Sequence, residues 1–361
     1  MESTFKNITW PDYQKLPLEQ RAPCCQKSGK AWHTLIAQQF DRPQLENLCA
    51  LATRIRRIAK TKEGTLFLGS LLAHQRAMLY FTQPSTRTFL SFYAACQMLG
   101  MKTGEVRDTS TSSEVKGETP EDSIRTFSSY FNMIIMRTPQ AGFAERMAWY
   151  LSNTERPVPI INAGSGPDQH PTQALLDIYT LNRSFETRGG IDGKQIVFCG
   201  DLKRGRTVRS LSWLLTNYKD VRQHFVAPPQ FQIEPDILAM LDSKGVKYDI
   251  SYDFDASLRI ADAIYMTRIQ DEWDQTPGES SRVDISKYWI TAEHLKIIKP
   301  EAAILHPLPR RKEISTDIDS DPRAMYWRQM RNGMWIRAAL IANTFDCNGE
   351  IESYAAQNGI V

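Results

Sequence analysis

The 361-residue sequence lacks features that would place it in several large classes of protein. Its apolar runs are far shorter than the roughly 18 residues that a membrane-spanning helix requires. The opening residues, MESTFKNITWPDY, lack the apolar core of a secretory signal peptide. The formal net charge is only +3, and there is no long basic run. The sequence therefore predicts a cytoplasmic protein with no nucleic-acid partner and no membrane partner.

The motifs of common cofactors and nucleophiles are also absent. There is no GxxxxGK[ST] loop for a nucleoside triphosphate, no GxGxxG after an apolar run and no G-x-S-x-G elbow. The six cysteines are scattered, and the only close pair, Cys24 and Cys25, has neither a metal-ligand nor a redox spacing. No group of Cys, His and carboxylate residues has metal-ligand spacing. We therefore predict chemistry without a metal or a cofactor, and cysteines that are reduced and mostly buried.

What the sequence does contain is an alternation of short apolar runs and helical patterns. The runs that predict buried strands are RAMLYF (76–81), NMIIM (132–136), VPIIN (158–162), KQIVFCG (194–200), HFVAP (224–228), DAIYM (262–266) and AAILH (302–306). The helical patterns cover residues 41–60, 171–183, 206–218, 235–245 and 324–345. This alternation predicts an α/β protein of two domains, each a parallel sheet flanked by helices, joined by long helices. Residues 1–32 are polar and poorly periodic, so we expect an N-terminal extension.

One junction between a predicted strand and a helix has unusual chemistry. Ser85, Thr86, Arg87 and Thr88 follow RAMLYF and open a helical pattern. Free backbone N–H groups and the helix dipole favour an anion at such a position. A serine or threonine would suffice as a plain helix cap, whereas a cation there is mildly unfavourable unless an anion binds. The turn therefore predicts a phosphate site.

Other polar residues lie at the ends of predicted strands, where open α/β sheets bind ligands. They are Arg137, His170, Arg206, Arg268 and Gln270, and the Pro-rich turn at Pro307 and Leu308 offers carbonyl acceptors. Lys116, in a polar glycine-containing loop, is on its own a solvated surface lysine. Together these groups predict a ligand set with a phosphate and one or more carboxylates, and catalysis by positioning and electrostatics.

The motifs that carry these residues resemble those of the aspartate carbamoyltransferases. They are STRT (85–88), KGET (116–119), M-R-x-P-Q (136–140), HPTQ (170–173), G-R-T (205–207), M-T-R-x-Q (266–270) and HPLPR (306–310). They follow the family's order and spacing from about residue 33 to the C-terminus. STRT is shared by all carbamoyltransferases, whereas HPTQ, M-T-R-x-Q and HPLP are the aspartate-type versions.

The resemblance implies a reaction and a role for each residue. The family joins carbamoyl phosphate and L-aspartate, a step of pyrimidine biosynthesis. It implies a carbamoyl-phosphate-binding domain at 33–171, completed by a C-terminal helix (330–361), and an aspartate-binding domain at 172–329. The carbamoyl-phosphate ligands implied are Ser85, Thr86, Arg87, Thr88, Ser112, Lys116, Arg137, His170, Gln173, Pro307 and Leu308. The aspartate ligands implied are Lys116, Arg206, Arg268 and Gln270.

Within that set, the resemblance implies catalytic roles for Thr88, Lys116, Arg137 and His170. Ser112 and Lys116 are implied to come from a neighbouring subunit of a homotrimer with shared sites, with a larger assembly left open. Gln83, Phe89 and Trp273 depart from residues that the family often has. Two alternatives therefore remain: a carbamoyltransferase with another amino-acid acceptor, and a non-catalytic assembly partner.

Overall fold

The chain forms two compact units, and a computed structural model describes residues 4–108, 117–166, 169–274, 276, 278 and 280–360. Unit 1 comprises residues 1–176 and 331–361, and unit 2 comprises residues 177–330. No helix in these described ranges is both long enough and apolar enough to cross a membrane. The parallel α/β architecture predicted from the sequence is confirmed in each unit.

Unit 1 contains a four-stranded parallel sheet with helices packed on it. Its strands are, in chain order, β1 (Gln26–Lys27), β2 (Lys30–Ala31), β3 (Arg76–Phe81), β4 (Lys102–Val106), β5 (Met133–Thr138) and β6 (Ile160–Ser165). Its helices are α1 (Trp10–Lys15), α2 (Arg42–Ile58), α3 (Lys62–Leu71), α4 (Thr86–Met98), α5 (Pro120–Tyr130) and α6 (Phe143–Ser152). The sheet has the order β4-β3-β5-β6, while β1 and β2 form a separate antiparallel pair. The carboxyl ends of β3, β5 and β6 therefore lie side by side.

Unit 2 contains a five-stranded parallel sheet in the order β11-β10-β7-β8-β9. Its strands are β7 (Gln195–Cys199), β8 (Arg222–Val226), β9 (Tyr248–Ser251), β10 (Ala263–Met266) and β11 (Ala303–Leu305). Its helices are α8 (Arg206–Leu215), α9 (Pro235–Ser243) and α10 (Phe254–Ile260). Two long helices, α7 (Pro171–Phe185) and α11 (Tyr326–Thr344), run through the boundary between the units, and α12 (Asn348–Gln357) follows in unit 1.

Three of the elements that the sequence analysis missed are short or mostly exposed. Strands β4 and β9 lie at sheet edges, and no residue of either is buried. Helix α12 buries only Ile351 and Ala355. Such elements lack the apolar pattern by which a strand or helix is recognised. By contrast, α2 begins as predicted, because Asp41 accepts the Gln44 N–H and the Gln44 side chain accepts the Asp41 N–H in return.

The N-terminal segment is part of the core of unit 1. Phe5, Tyr13 and Cys25 are buried in the same apolar cluster as strands β3, β5 and β6. The Glu145 carboxylate on α6, itself buried, accepts hydrogen bonds from the Tyr13 hydroxyl at 2.6 Å and from Arg21 Nη1 at 3.0 Å. The aromatic residues that make these contacts are isolated and belong to no periodic apolar pattern. The sequence therefore did not predict that this segment packs into the core.

The Arg21–Glu145 pair predicts a stability effect. Arg21→Met would leave the buried Glu145 carboxylate without its cation, which typically costs about 3 kcal/mol of unfolding free energy. Urea denaturation measures that loss. Lys15→Met is the matched control, since Lys15 pairs with Asp12 on the exposed face of α1. Equal stability of the Arg21 variant and the wild type would contradict the prediction.

A buried histidine joins the N-terminal segment to β6. His33 Nδ1 accepts the Ile160 backbone N–H at 3.1 Å, and Nε2 lies 3.3 Å from Ser152 Oγ. Complete burial, with a smaller contribution from Lys27, lowers the pKa of His33 from 6.5 to about 3. Folded His33 is therefore neutral at pH values where the unfolded chain is protonated.

This histidine predicts a pH dependence of stability. Below pH 6.5 the unfolded chain gains a proton at His33 that the folded chain does not, so stability is full above 6.5 and falls towards pH 3. Between pH 6.5 and 5 the expected loss is about 2 kcal/mol. Urea unfolding at both pH values would test this, with His33→Asn as the variant that keeps an acceptor but cannot titrate. The same pH dependence in both proteins would contradict it.

Candidate functional site

In unit 1, three neighbouring parallel strands bring the predicted phosphate-site residues to one edge of the sheet. Phe81 at the end of β3 is paired with Arg137 near the end of β5. The backbone N–H groups of Thr82 and Gln83, which follow β3, both donate to the Arg137 carbonyl, at 3.0 and 3.2 Å. The loop that leads to Ser85 is thus fixed to the strand that carries Arg137.

The start of α4 has the features of an anion site. The helix begins at Thr86, with Ser85 as its N-cap residue in an extended conformation. Ser85 makes no side-chain capping bond, and no acidic residue lies in the first turn. The first turn itself therefore supplies no carboxylate to its N–H groups or to the positive end of the helix dipole. Thr88 is buried on the inner side of this turn, whereas Arg87 is exposed.

Arg137 and His170 contact each other at the ends of β5 and β6. Arg137 Nη1 lies 3.4 Å from His170 Nε2 and donates to the Ala163 carbonyl at 3.2 Å. Both side chains are buried, with exposures of 8% and 4%. Gly164 (φ +123°) allows this approach, because a Cβ there would lie 2.7 Å from Arg137 Nη1. A guanidinium and an imidazole are therefore held together at a water-poor position.

Gln173 lies one turn beyond His170 at the start of α7. Its backbone N–H donates to the His170 carbonyl at 3.0 Å, and its side chain is 8% exposed. Pro171 occupies the first helical position, where its missing N–H costs nothing. The turn thus fixes His170 and Gln173 at adjacent positions on the same helix start.

In unit 2, the ends of β7, β10 and β11 carry the other predicted residues. These strands are neighbours in the order β11-β10-β7, so their carboxyl ends share an edge. Arg206 opens α8 after β7, Arg268 and Gln270 follow β10, and Pro307 and Leu308 follow β11. The structure therefore places at one sheet edge the predicted aspartate ligands of this unit and the two carbonyl acceptors.

A buried carboxylate that the sequence analysis missed ties two of these loops together. Asp201, fully buried after β7, accepts the Arg204 N–H at 3.0 Å and the Gln270 N–H at 3.1 Å. Burial raises the pKa of Asp201, against the lowering effect of those two N–H groups. Arg204 Nη1 in turn donates to the Gln270 carbonyl and to Asp274 Oδ1. The only sequence signal was an aspartate directly after the strand KQIVFCG.

The two arginines of this edge differ in their surroundings. Burial lowers the pKa of Arg206 to about 10, which still leaves it charged at neutral pH. Arg268 makes a two-pronged contact with the Glu272 carboxylate, with Nη1 2.8 Å from Oε2 and Nη2 on Oε1. Burial would raise the pKa of Glu272, but hydrogen bonds from Arg268 and its charge give a net lowering. The guanidinium of Arg268 is therefore oriented for a carboxylate.

The sequence also singled out Ser112, Lys116, Gln83 and Phe89. Ser112 and Lys116 lie outside the described residues. Gln83 has a buried side-chain oxygen that no described group donates to. Phe89 is a core residue, stacked with Tyr93 at 6.0 Å and covered by the Arg107 guanidinium. Within the described part of the chain, no cluster of three or more His, Cys, Asp or Glu residues is arranged to hold a metal ion.

Comparisons with known proteins agree with this arrangement. Residues 32–183 match the family model "Aspartate/ornithine carbamoyltransferase, carbamoyl-P binding domain". Residues 192–344 match "Aspartate/ornithine carbamoyltransferase, Asp/Orn binding domain". Each match spans the strands and loops that carry the candidate residues of one unit.

Individual relatives are similar over most of their length. The chain is 41% identical over 310 residues to aspartate carbamoyltransferase 1, chloroplastic, of Pisum sativum, covering 84% of this chain and 76% of the relative. It is 43% identical over 274 residues to the aspartate carbamoyltransferase catalytic subunit of Vibrio cholerae, covering 75% and 85%. Aspartate transcarbamoylase from Trypanosoma cruzi in complex with carbamoyl phosphate and aspartate has a TM-score of 0.77 and 34% identity, covering 87% and 97%.

Proposed function

The chain belongs to the aspartate/ornithine carbamoyltransferase family, and from this premise we propose that it is an aspartate carbamoyltransferase. It transfers the carbamoyl group of carbamoyl phosphate to the amine of L-aspartate, giving N-carbamoyl-L-aspartate and phosphate, in pyrimidine biosynthesis. The observation that carries the proposal is the buried contact between Arg137 and His170 beside the acid-free start of α4. It combines an anion site with two donors suited to a carbonyl oxygen.

Unit 1 binds carbamoyl phosphate. Ser85, Thr86 and Arg87, with the N–H groups at the start of α4, hold the phosphate. Thr88, Arg137 and His170 donate to the carbamoyl oxygen, where negative charge grows as the amine attacks. Because Arg137 and His170 are already fixed by burial and by their contact with each other, they need little reorganisation as that charge develops.

Unit 2 binds L-aspartate. Arg206, Arg268 and Gln270 hold its two carboxylates. Arg268 already binds the Glu272 carboxylate in a two-pronged geometry, which suits recognition of a substrate carboxylate. The hydrogen bond from the Gln270 N–H to Asp201 holds Gln270 next to the loop that leads to Arg206. An acceptor with a second carboxylate suits this cation pair better than one with a second amine.

The reaction is a direct displacement at the carbamoyl carbon. The neutral amine nitrogen forms the new C–N bond, and the C–O bond to phosphate breaks with its electrons going to phosphate. The proton that the amine nitrogen loses goes to the departing phosphate. Gln173 and the carbonyls of Pro307 and Leu308 hold the carbamoyl NH₂ group. The chain's contribution is orientation of both reactants and stabilisation of charge.

The assembly and the compartment are part of the same proposal. Ser112 and Lys116 contribute to the site of a neighbouring subunit in a homotrimer, as the family resemblance implies. Analytical ultracentrifugation tests this, with about three times the mass of one chain as the expected result. The compartment is the cytoplasm, and the six buried cysteines suit a reducing environment.

The test of function is an acceptor panel with purified protein and carbamoyl phosphate. Phosphate release is measured with L-aspartate, L-glutamate and L-ornithine. Turnover with aspartate at least about tenfold above the other acceptors is expected. Turnover with ornithine but not aspartate would support the alternative acceptor, and binding without any turnover would support a non-catalytic partner.

A further inference from the structure

The turn after β11 is held by a histidine that has no role in the proposed chemistry so far. His306 is 1% exposed, and its Nδ1 accepts the Leu308 backbone N–H at 2.7 Å. Leu308 has a φ of 55°, in the left-handed region that residues with a side chain seldom adopt. The hydrogen bond therefore holds Leu308 in a conformation that its own preferences disfavour.

The tautomer of His306 follows from its two partners. Nδ1 accepts a hydrogen bond, so the ring proton lies on Nε2, which is 2.8 Å from Glu313 Oε1. The same carboxylate oxygen accepts the Arg311 backbone N–H at 2.9 Å. Burial would raise the pKa of Glu313, but the hydrogen bond from His306 and the Arg311 N–H give a net lowering. Glu313 is therefore a carboxylate that orients the ring.

The backbone of His306 is fixed as well. Its N–H donates to Gln329 Oε1 at 2.8 Å, and Gln329 Nε2 donates to Asp177 Oδ1 at 2.7 Å. Asp177 also accepts the Tyr265 hydroxyl at 2.8 Å. All of these groups belong to unit 2. Hydrogen bonds thus hold His306 at its backbone and at its ring.

The peptide group between Pro307 and Leu308 connects the hydrogen bonds of His306 to the proposed site. The Leu308 N–H and the Pro307 carbonyl belong to the same planar peptide unit and point in opposite directions. Fixing the N–H towards His306 therefore aims the Pro307 carbonyl away from His306. The φ of Leu308 then sets the direction of the next carbonyl, and Pro309 has no N–H with which to continue a ladder.

We propose that His306 and Glu313 are positioning residues that aim the carbonyls of Pro307 and Leu308 at the NH₂ group of carbamoyl phosphate. They thereby make the protein select a carbamoyl group over an acyl group that has no N–H. This inference rests on the proposed function. A brace that serves only the fold would stabilise the turn without affecting that selection.

The test compares carbamoyl phosphate with acetyl phosphate, in which a methyl group replaces NH₂. Dissociation constants are measured by calorimetry at low temperature for the wild type, His306→Ala, His306→Asn, Glu313→Leu and Glu313→Gln. The wild type is expected to bind carbamoyl phosphate at least about tenfold more tightly, since the methyl group leaves two carbonyls without donors. In His306→Ala and Glu313→Leu, the ratio of the dissociation constant for acetyl phosphate to that for carbamoyl phosphate falls towards one.

Conservative variants separate positioning from folding. In His306→Asn the introduced amide oxygen can accept the Leu308 N–H, and Glu313→Gln keeps an acceptor for Nε2, so both recover most of the ratio. With aspartate present, His306→Ala lowers kcat by about 10²-fold, the typical effect of misplacing a contact by about 1 Å. The KM for aspartate stays within about threefold of the wild type, because other residues bind aspartate.

A matched control exists in the same unit. His294 Nδ1 also accepts a backbone N–H, that of Thr291 at 3.0 Å, at the start of the short helix Ala292–Lys296. His294→Ala should lower the melting temperature without changing the binding ratio or kcat. If His306→Ala and Glu313→Leu fold and keep the wild-type ratio and kcat, the inference is wrong and the proposed function stands. If the wild type neither binds carbamoyl phosphate nor turns over, the proposed function fails and the inference fails with it.

Discussion

Arg87→Ala is expected to weaken the binding of carbamoyl phosphate by about 10²- to 10³-fold. Arg87 lies in the first turn of α4, which has no acidic residue and whose N-cap serine makes no capping bond. Two charge-assisted hydrogen bonds to phosphate together contribute about 3–4 kcal/mol, which corresponds to that loss. Calorimetry with carbamoyl phosphate, and with inorganic phosphate as a second ligand, measures it directly.

The fold should survive this change. Arg87 is exposed, and substitutions of exposed residues usually change stability by no more than about 0.5 kcal/mol, so the melting temperature of the ligand-free variant should change little. Arg42→Ala is the matched control, because Arg42 is the first residue of α2 and is bound to Glu46. The control should bind carbamoyl phosphate as the wild type does. Unchanged affinity in Arg87→Ala would refute the phosphate site.

Arg137→Met is expected to lower kcat by about 10²- to 10³-fold, the usual effect of removing one donor to a developing oxyanion. Arg137 is buried at the end of β5 and touches His170, so we do not expect a cation from the surface to replace it. The KM for carbamoyl phosphate should rise less, because the phosphate contacts remain. Steady-state kinetics at saturating aspartate separates the two parameters.

Arg137→Lys serves as the companion variant. It keeps a positive charge but loses the guanidinium Nη1, the one nitrogen that lies near both the Ala163 carbonyl and His170. We expect it to recover only part of the lost kcat. If Arg137→Met raised KM while leaving kcat unchanged, Arg137 would bind the ground state and the transition state equally well, and its proposed role in stabilising developing charge would be wrong.

The sequence predicted the strands of this fold that bury apolar runs. The seven predicted strands are all present as β3, β5, β6, β7, β8, β10 and β11. The edge strand β4, KTGEV, was missed because it is short and contains Lys102, Gly104 and Glu105, so neither face is uniformly apolar. The packing of Phe5 and Tyr13 was missed because single aromatic residues without a period carry no signal of what they contact.

The sequence predicted those residues of the candidate site that lie at the ends of recognised strands. Arg137 and His170 were expected at one sheet edge because strands β5 and β6 were recognised, and they touch. Asp201 and Glu313 were not predicted. Each accepts hydrogen bonds from backbone N–H groups, and these groups come within reach only when the loops are folded. Sequence patterns report periodicity and local turns, whereas such contacts depend on how a loop returns towards itself.

The proposed reaction forms a bond between the carbamoyl carbon and the amine nitrogen of aspartate. The most direct measurement uses ¹³C-labelled carbamoyl phosphate and ¹⁵N-labelled L-aspartate with the purified protein, followed by NMR of the product. A carbamoyl ¹³C signal split by one-bond coupling to ¹⁵N, growing with enzyme concentration, is the expected result. If phosphate is released and the ¹³C appears only in unsplit species such as cyanate and bicarbonate, the protein does not transfer the carbamoyl group to aspartate.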